Sequence, residues 1–360
     1  MIPGSDIPGP LTILGADDPG PVHPRTPPAR GDPGHHGPVR TIDWRGDHVV
    51  IVDQTRLPHD LVHRALHTVD DLVHAIKTLA VRGAPALGVA GALGVALAAL
   101  STGDTREQAA RVRAARPTAV NLAWGVDRVL AKLADGTEAV VAEAVTVLED
   151  DIRLNRALAH RGADWLQARI GKPITAHTHC NAGALACVEW GTALGVLRAL
   201  NERGALAHVY ADETRPLLQG ARITAWELAG MGVPHTLVVD SAGPSVIANG
   251  LVDVVVVGAD RIAANGDVVN KVGTYPLALA AARHGIPFLV AAPESTVDLS
   301  TPSGDAIPIE LRAADEITSF NGTRTAPPGT AALNYAFDVT PADLVTAVVT
   351  EARVVERGAP

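Results

Sequence analysis

An acid, an amide and a lysine come together in GADRIAANGDVVNK (258–271), where Asp260 follows the β-branched run 254–257 and Asn270 and Lys271 close the segment. A continuous β-branched run reads as a buried parallel strand, and open α/β sheets bind ligands beyond the C-terminal ends of such strands. Gly258 and Ala259 allow close backbone approach and leave the Asp260 carboxyl partly desolvated, which raises its pKa and suits it to carry a proton near neutral pH. The competing reading of Asp260 is a helix cap or an ion pair with Arg261. Two further segments share the layout of a short apolar strand breaking into polar residues: ITAHTHCNAG (174–183) and AHVYADETRPLLQG (207–220). They add Cys180, and Glu213 with Arg215 and Gln219, so three strand ends are expected to converge on one crevice.

Cys180 stands after a predicted strand and before a helix expected from about Ala182, whose amide dipoles favour a thiolate. Cys187 falls within that helix and reads as inert packing. In His177-Thr178-His179-Cys180, strand alternation puts both histidines on one face and Cys180 on the other. No second cluster of metal-ligand spacing accompanies them, so no metal is expected. Asn270 and Lys271 precede a helix-like run at 275–283, where an anion can rest on helix amides with the ammonium beside it. Arg82-Gly83-Ala84-Pro85 offers the same combination, with Pro85 suited to a first helical turn, and Arg116-Pro117-Thr118 adds a second guanidinium. Together these segments point to a phosphate held between two domains.

The elements that must position these residues change character along the chain. Residues 1–39 are rich in Pro and Gly without hydrophobic period and read as a disordered leader with no catalytic role. WRGDHVVIVDQ, within 41–54, predicts a hairpin, and Thr68 with Asp71 forms a capping box ahead of a helix. Further helices are expected at 84–100, 104–115, 120–134 and 138–169, which makes 40–170 a small, mainly helical N-terminal domain with a hairpin. From 171 to 356, strands ITAHT, AHVYA, HTLVV, DVVVV and PFLVA alternate with helices, the signature of a parallel sheet with right-handed crossovers and an α/β fold class. Residues 341–355 read as a closing helix capped by Thr340.

Composition narrows the function classes. At 360 residues, with 47% hydrophobic but only 3% aromatic residues, the core must be built from Ala, Val and Leu in closely packed helices. The formal charge of −9 and the lack of a basic run argue against a nucleic-acid surface. Two cysteines and no secretory signal suggest the cytoplasm. The nearest approach to a membrane span, 84–100, is rich in small residues and reads as a buried helix instead.

RGAPALG (82–88), RPTAVNLAWGVDR (116–128), THCNAGALA (178–186), ETRPLLQGARITAWEL (213–228), GADRIAANGDVVNKVGTY (258–275) and AFDVTP (336–341) together resemble methylthioribose-1-phosphate isomerases, in order and over about 41–355. The resemblance implies a Rossmann-like C-terminal domain and a homodimer that isomerises a sugar phosphate in methionine salvage without cofactor or metal. It implies Cys180 and Asp260 as the catalytic pair and Arg82, Gly83, Ala84, Arg116, Gln219, Asn270 and Lys271 as substrate contacts. Tyr335, where the family usually has Pro, depart from its pattern, as do Cys187, Glu189, Trp190 and the segment Ser241-Ala242-Gly243-Pro244. The neighbouring readings are an isomerase of 5-deoxyribose 1-phosphate or ribose 1,5-bisphosphate, and a non-catalytic regulatory subunit of the translation initiation guanine-nucleotide exchange factor, which shares the fold.

Overall fold

The structure, a computed structural model, describes residues 39–357, so the expected leader lies outside the described residues except for Val39. β1 (Ile42–Trp44) pairs antiparallel with β2 (Val49–Val52), both largely buried, as the hairpin motif predicts. A third antiparallel strand, β3 (His63–Leu66), joins them, and its exposed His63 and Ala65 explain why it has no hydrophobic signature. Helix α1 (Val69–Lys77) opens with the capping box: the Thr68 hydroxyl accepts from the Asp71 amide at 3.1 Å, and the Asp71 carboxylate accepts from the Thr68 amide at 3.0 Å. Then come α2 (Ala84–Leu100), α3 (Thr105–Arg113, capped by Asp104), α4 (Val120–Leu130) and α5 (Thr137–Ile170). Helix α4 stops four residues short of expectation, where the chain tightens into a 3-10 turn at Leu133–Asp135. Helix α2 is buried on every side from Ala86 to Ala98, which an all-apolar helix requires.

Beyond α5 come β4 (Ile174–Thr178), α6 (Ala193–Glu202), β5 (Leu206–Asp212), α7 (Ala225–Gly230), β6 (His235–Val238), α8 (Gly243–Ala248) and β7 (Val254–Val257). They are followed by β8 (Arg261–Ala263), β9 (Val268–Lys271), α9 (Thr274–His284), β10 (Phe288–Ala291), β11 (Val297–Asp298) and α10 (Asp315–Thr318). The last strands are β12 (Ser319–Phe320), β13 (Thr323–Arg324), β14 (Phe337–Thr340), β15 (Ala347–Val349) and β16 (Val354–Glu356). The central sheet has the order β16-β15-β10-β7-β4-β5-β6, parallel except for β16. Successive β7 valines alternate between its faces: Val254 and Val256 pack with α5 and α6, Val255 and Val257 with α8 and α9. This is a mixed α/β fold with helices on both faces of a parallel sheet.

Connections run outward from β4 to β5 on one side and onward from β7 to β10 on the other, so the strand order reverses between β4 and β7. Such a switch point leaves a crevice at the carboxyl ends of the two strands. A second sheet, β11-β8-β9-β14, stands beyond β7 and carries Asn270 and Lys271 on β9.

Two expectations fail. Residues 341–355 are not a helix: after a 3-10 turn at Ala342–Leu344 they form β15 and β16, because the valines find a parallel partner in β10. Nor does a helix follow Cys180. The chain makes only a 3-10 turn at Ala184–Ala186 and becomes helical at Ala193, so Cys187 is not on a helix. The buried Glu227 carboxylate accepts from the amides of Ala184 at 2.7 Å and Leu185 at 3.4 Å, and so satisfies in loop form groups that a helix end leaves open.

Candidate active site

Cys180 lies immediately past β4 and Asp260 past β7, the two strands that flank the switch point. Both line one cavity at the carboxyl ends of these strands. Arg82, Gly83, Ala84, Arg116, Gln219, Asn270 and Lys271 line it too, so the nine residues that the resemblance implies for the site share its wall. Glu213 and Arg215 do not. The amides of Thr214 and Arg215 are tied to Asp240 at 2.7 and 2.6 Å, and the Arg215 guanidinium turns to the Glu316 carbonyl at 3.2 Å.

The cavity's electrostatics follow from burial and from its cations. Loss of water pushes the Asp260 carboxyl up; Lys271, Arg116 and Arg82 pull the other way without reversing the shift, and Glu310 reinforces it. Arg261 is not its partner, pairing with Asp298 at 3.6 Å. Burial likewise raises the Cys180 thiol, against Lys271 and Arg82, so the expected thiolate stabilised by a helix end is replaced by a thiol. Cys180 sits at φ 62°, held by its amide to Thr214 Oγ1 at 2.9 Å and by its carbonyl, which accepts from Thr224 Oγ1 at 2.6 Å. A left-handed non-glycine residue is sparsely populated and persists where its surroundings over-determine it.

Two of the cations, Arg82 and Lys271, are fixed by neutral oxygens. Arg82 donates to Gln54 Oε1 at 3.0 Å and to the Asn181 carbonyl at 3.0 Å, and also to Asn181 Oδ1. Lys271 Nζ donates to the Ala336 carbonyl at 2.7 Å and stands 4.3 Å from the Phe337 ring centre. Burial lowers its pKa. Gly83 caps α2 at φ 97°, and a Cβ there would lie 2.5 Å from Ala186 Cα, so glycine is required both by conformation and by space. The first turn of α2 therefore opens onto the cavity with its amides available to an anion. Gln219 Oε1 is buried without a partner among the described residues and waits for a donor.

The sequence reading missed Glu310 and Arg312, which line the same cavity. They lie in an irregular strap before α10, and their only signal is an acid and a base flanking Leu311 in IPIELR. Phe337, within AFDVTP, lines the cavity as well. His179, Asp212 and Asp240 offer ligand atoms within 4.8 Å of one another. His179 pairs Nδ1 with Asp212 at 2.7 Å and Nε2 with the Val272 carbonyl at 2.8 Å, so both ring nitrogens are engaged in hydrogen bonds within the protein.

Residues 80–356 match the Initiation factor 2 subunit family. Over 324 residues the chain is 56% identical to a probable bifunctional methylthioribose-1-phosphate isomerase/methylthioribulose-1-phosphate dehydratase of Nocardia farcinica, covering 88% of this chain but 59% of that protein. It is 48% identical over 330 residues to the methylthioribose-1-phosphate isomerase of Alkalilimnicola ehrlichii, covering 88% of this chain and 94% of that one. The crystal structure of 5-methylthioribose 1-phosphate isomerase from Pyrococcus horikoshii superposes with a TM-score of 0.82 at 38% identity, over 88% of this chain and 92% of the other. That of translation initiation factor eIF-2B subunit delta from A. fulgidus gives 0.78 at 41% identity, over 88% and 96%. With a near full-length match at such identity, the chain belongs to the Initiation factor 2 subunit family, on the branch whose members are named methylthioribose-1-phosphate isomerase.

Proposed function

We propose that the chain is an aldose–ketose isomerase that converts 5-methylthioribose 1-phosphate to 5-methylthioribulose 1-phosphate in methionine salvage. One observation carries the reading: in a chain of this family, a thiol and a carboxyl whose pKa burial raises share a cavity at the switch point with Arg82, Arg116 and Lys271. The anomeric phosphate rests on the first turn of α2, at Gly83 and Ala84, with Arg82 and Lys271 beside it. Leu79, Leu217, Pro293 and Phe337 give the cavity the apolar wall that a methylthio group needs.

A sugar phosphorylated at C1 has no free aldehyde to enolise, so the ring C1–O4 bond must break first. Asp260, protonated through burial, gives its proton to O4 as that bond breaks. Hydrogen then moves from C2 to C1, either as hydride or through an enol phosphate, while Cys180 acts at C2 or its hydroxyl. The proton that Asp260 gives to O4 is replaced by the one that O2 loses, which passes to the Asp260 carboxylate, so the pair ends each turnover as it began. The reaction is redox neutral and its balance calls for no electron acceptor. The same reading takes 40–170 as a helical domain, 171–356 as a Rossmann-like catalytic domain, and the working enzyme as a cytoplasmic homodimer.

Purified protein mixed with methylthioribose 1-phosphate should yield the ketose, identified by NMR. Asp260→Asn and Cys180→Ala should each lose about 10²–10⁴-fold in turnover while retaining substrate binding. Near-normal turnover in either variant removes that residue from the mechanism. In deuterated water, label absent from C1 marks the hydride route and substantial label marks the enol.

A further inference from the structure

Four cations line the cavity, Arg82, Arg116, Lys271 and Arg312, yet they do not present four charges to a ligand. Glu310 Oε2 accepts from Arg116 Nη2 at 3.2 Å and from Thr118 Oγ1 at 3.3 Å, and its Oε1 accepts from Arg312 Nη1 at 3.1 Å. Arg312 also donates from Nε to Glu316 Oε2 at 2.9 Å. Arg116 and Arg312 are thus matched by two carboxylates. Arg82 and Lys271 have only neutral oxygens as hydrogen-bond partners. Glu227 reaches Arg82 only through Asn181, so among the described residues Arg82 and Lys271 are the two cavity cations with no carboxylate in contact, which suits one phosphate monoester at about −1.5 to −2 rather than two.

Glu310 is built into this place. Its carbonyl accepts from the Ala336 amide at 2.9 Å, and the Arg312 amide donates to the Asn334 carbonyl at 2.9 Å, so the strap is pinned beside the residues that hold Lys271. The side chains of Arg116, Glu310 and Arg312 are 18, 22 and 20% exposed, shielded enough for the pairs to resist salt. Burial favours the protonated acid, but Arg116 and Arg312 outweigh it and hold Glu310 below the usual carboxylate range.

We propose that Glu310 is a specificity-determining residue that restricts the cavity to sugars with a single phosphate, by cancelling the charge of Arg116 and Arg312. A second phosphate on the same sugar would meet guanidiniums already paired and a fixed carboxylate that repels it, which is specificity by repulsion. The proposal rests on the sugar-phosphate isomerase reading above.

The test compares kcat/KM for methylthioribose 1-phosphate and ribose 1,5-bisphosphate in the parent, Glu310→Gln, Glu310→Asp and Arg312→Gln. Glu310→Gln should lower the preference for the monophosphate by about tenfold or more, and Glu310→Asp, which keeps the charge, should preserve most of it. Arg312→Gln removes a cation but leaves both carboxylates, so it should shift the preference further toward the monophosphate. Calorimetric Kd values for inorganic phosphate and pyrophosphate give the same comparison without turnover, and should move in the same directions. An unchanged ratio in Glu310→Gln, or an equal loss for both ligands, overturns the proposal and leaves Glu310 a prop for Arg116. If the parent turns over neither sugar, the isomerase reading fails, while the phosphate-to-pyrophosphate ratio still decides the role of Glu310.

Discussion

His179 makes two hydrogen bonds that only a doubly protonated ring can make together. A carbonyl such as that of Val272 only accepts, so Nε2 must donate to it, and Nδ1 donates to ionised Asp212. Burial works against that charge, but the bond to Asp212 and the fields of Asp212 and Asp240 prevail and push its pKa up. Asp212 also accepts from His177 Nε2 at 3.0 Å, and the two histidines hold its pKa low against burial. Asp338, facing from β14, is the other acid that feels His179. His179→Ala would leave Asp212 buried with one partner fewer, at a cost of about 3–5 kcal/mol. A histidine whose pKa is raised by folding contributes its full stability below the unfolded value near 6.5 and loses it as pH climbs through the folded value. Urea denaturation should therefore show the largest gap between parent and variant near pH 6, closing on the alkaline side. A gap that stays constant with pH would mean that the ring is not charged.

At the scale of elements, α2 shows what patterning reveals and what it hides. The run APALGVAGALGVALAAL, bounded by Arg82-Gly83 and by Ser101, is legible as a buried helix, and its boundaries match the structure. Its partner is not legible, because the contact depends on two glycines 37 positions apart meeting across α2 and α4: a Cβ on Gly125 would collide with the carbonyl oxygen of Gly88. The loop ahead of α4 carries Arg116, and the first turn of α2 carries Gly83 and Ala84, so the spacing of these helices sets the width of the cavity proposed to hold the phosphate. Gly125→Ala must push α4 away, which costs about 1–3 kcal/mol or more for overpacking. It should lower the denaturation midpoint and raise KM more than it lowers kcat, since the thiol and carboxyl stand on other elements. A variant that loses stability with KM unchanged would separate helix spacing from phosphate binding.

Across the whole molecule, legibility follows the range of the interactions. Cys180 and Asp260 are readable because each ends a strand whose own sequence announces it. Glu310 and Arg312 are not, because an irregular strap has no period, and β15 is mistaken for a helix because its parallel partner lies about 60 residues away. Helix α5 joins the two halves of the core: Val140, Ala144 and Leu148 pack with α2, and Leu158, Ala163 and Leu166 pack beneath the sheet. Between these groups Asp151 accepts from the Val188 amide at 2.8 Å, and loss of water raises its pKa to about 7. An acid whose pKa is raised by folding binds a proton in the native state that the unfolded chain has released. Stability therefore falls as pH rises from about 4 to about 7 and is flat beyond, a span on the order of 4 kcal/mol. Asp151→Asn keeps an acceptor for Val188 but has nothing to ionise, so its stability should lack this slope. The variant should match the parent near pH 4 and exceed it at pH 8, and parallel stability curves across that interval would show that Asp151 ionises as freely in the fold as in the open chain.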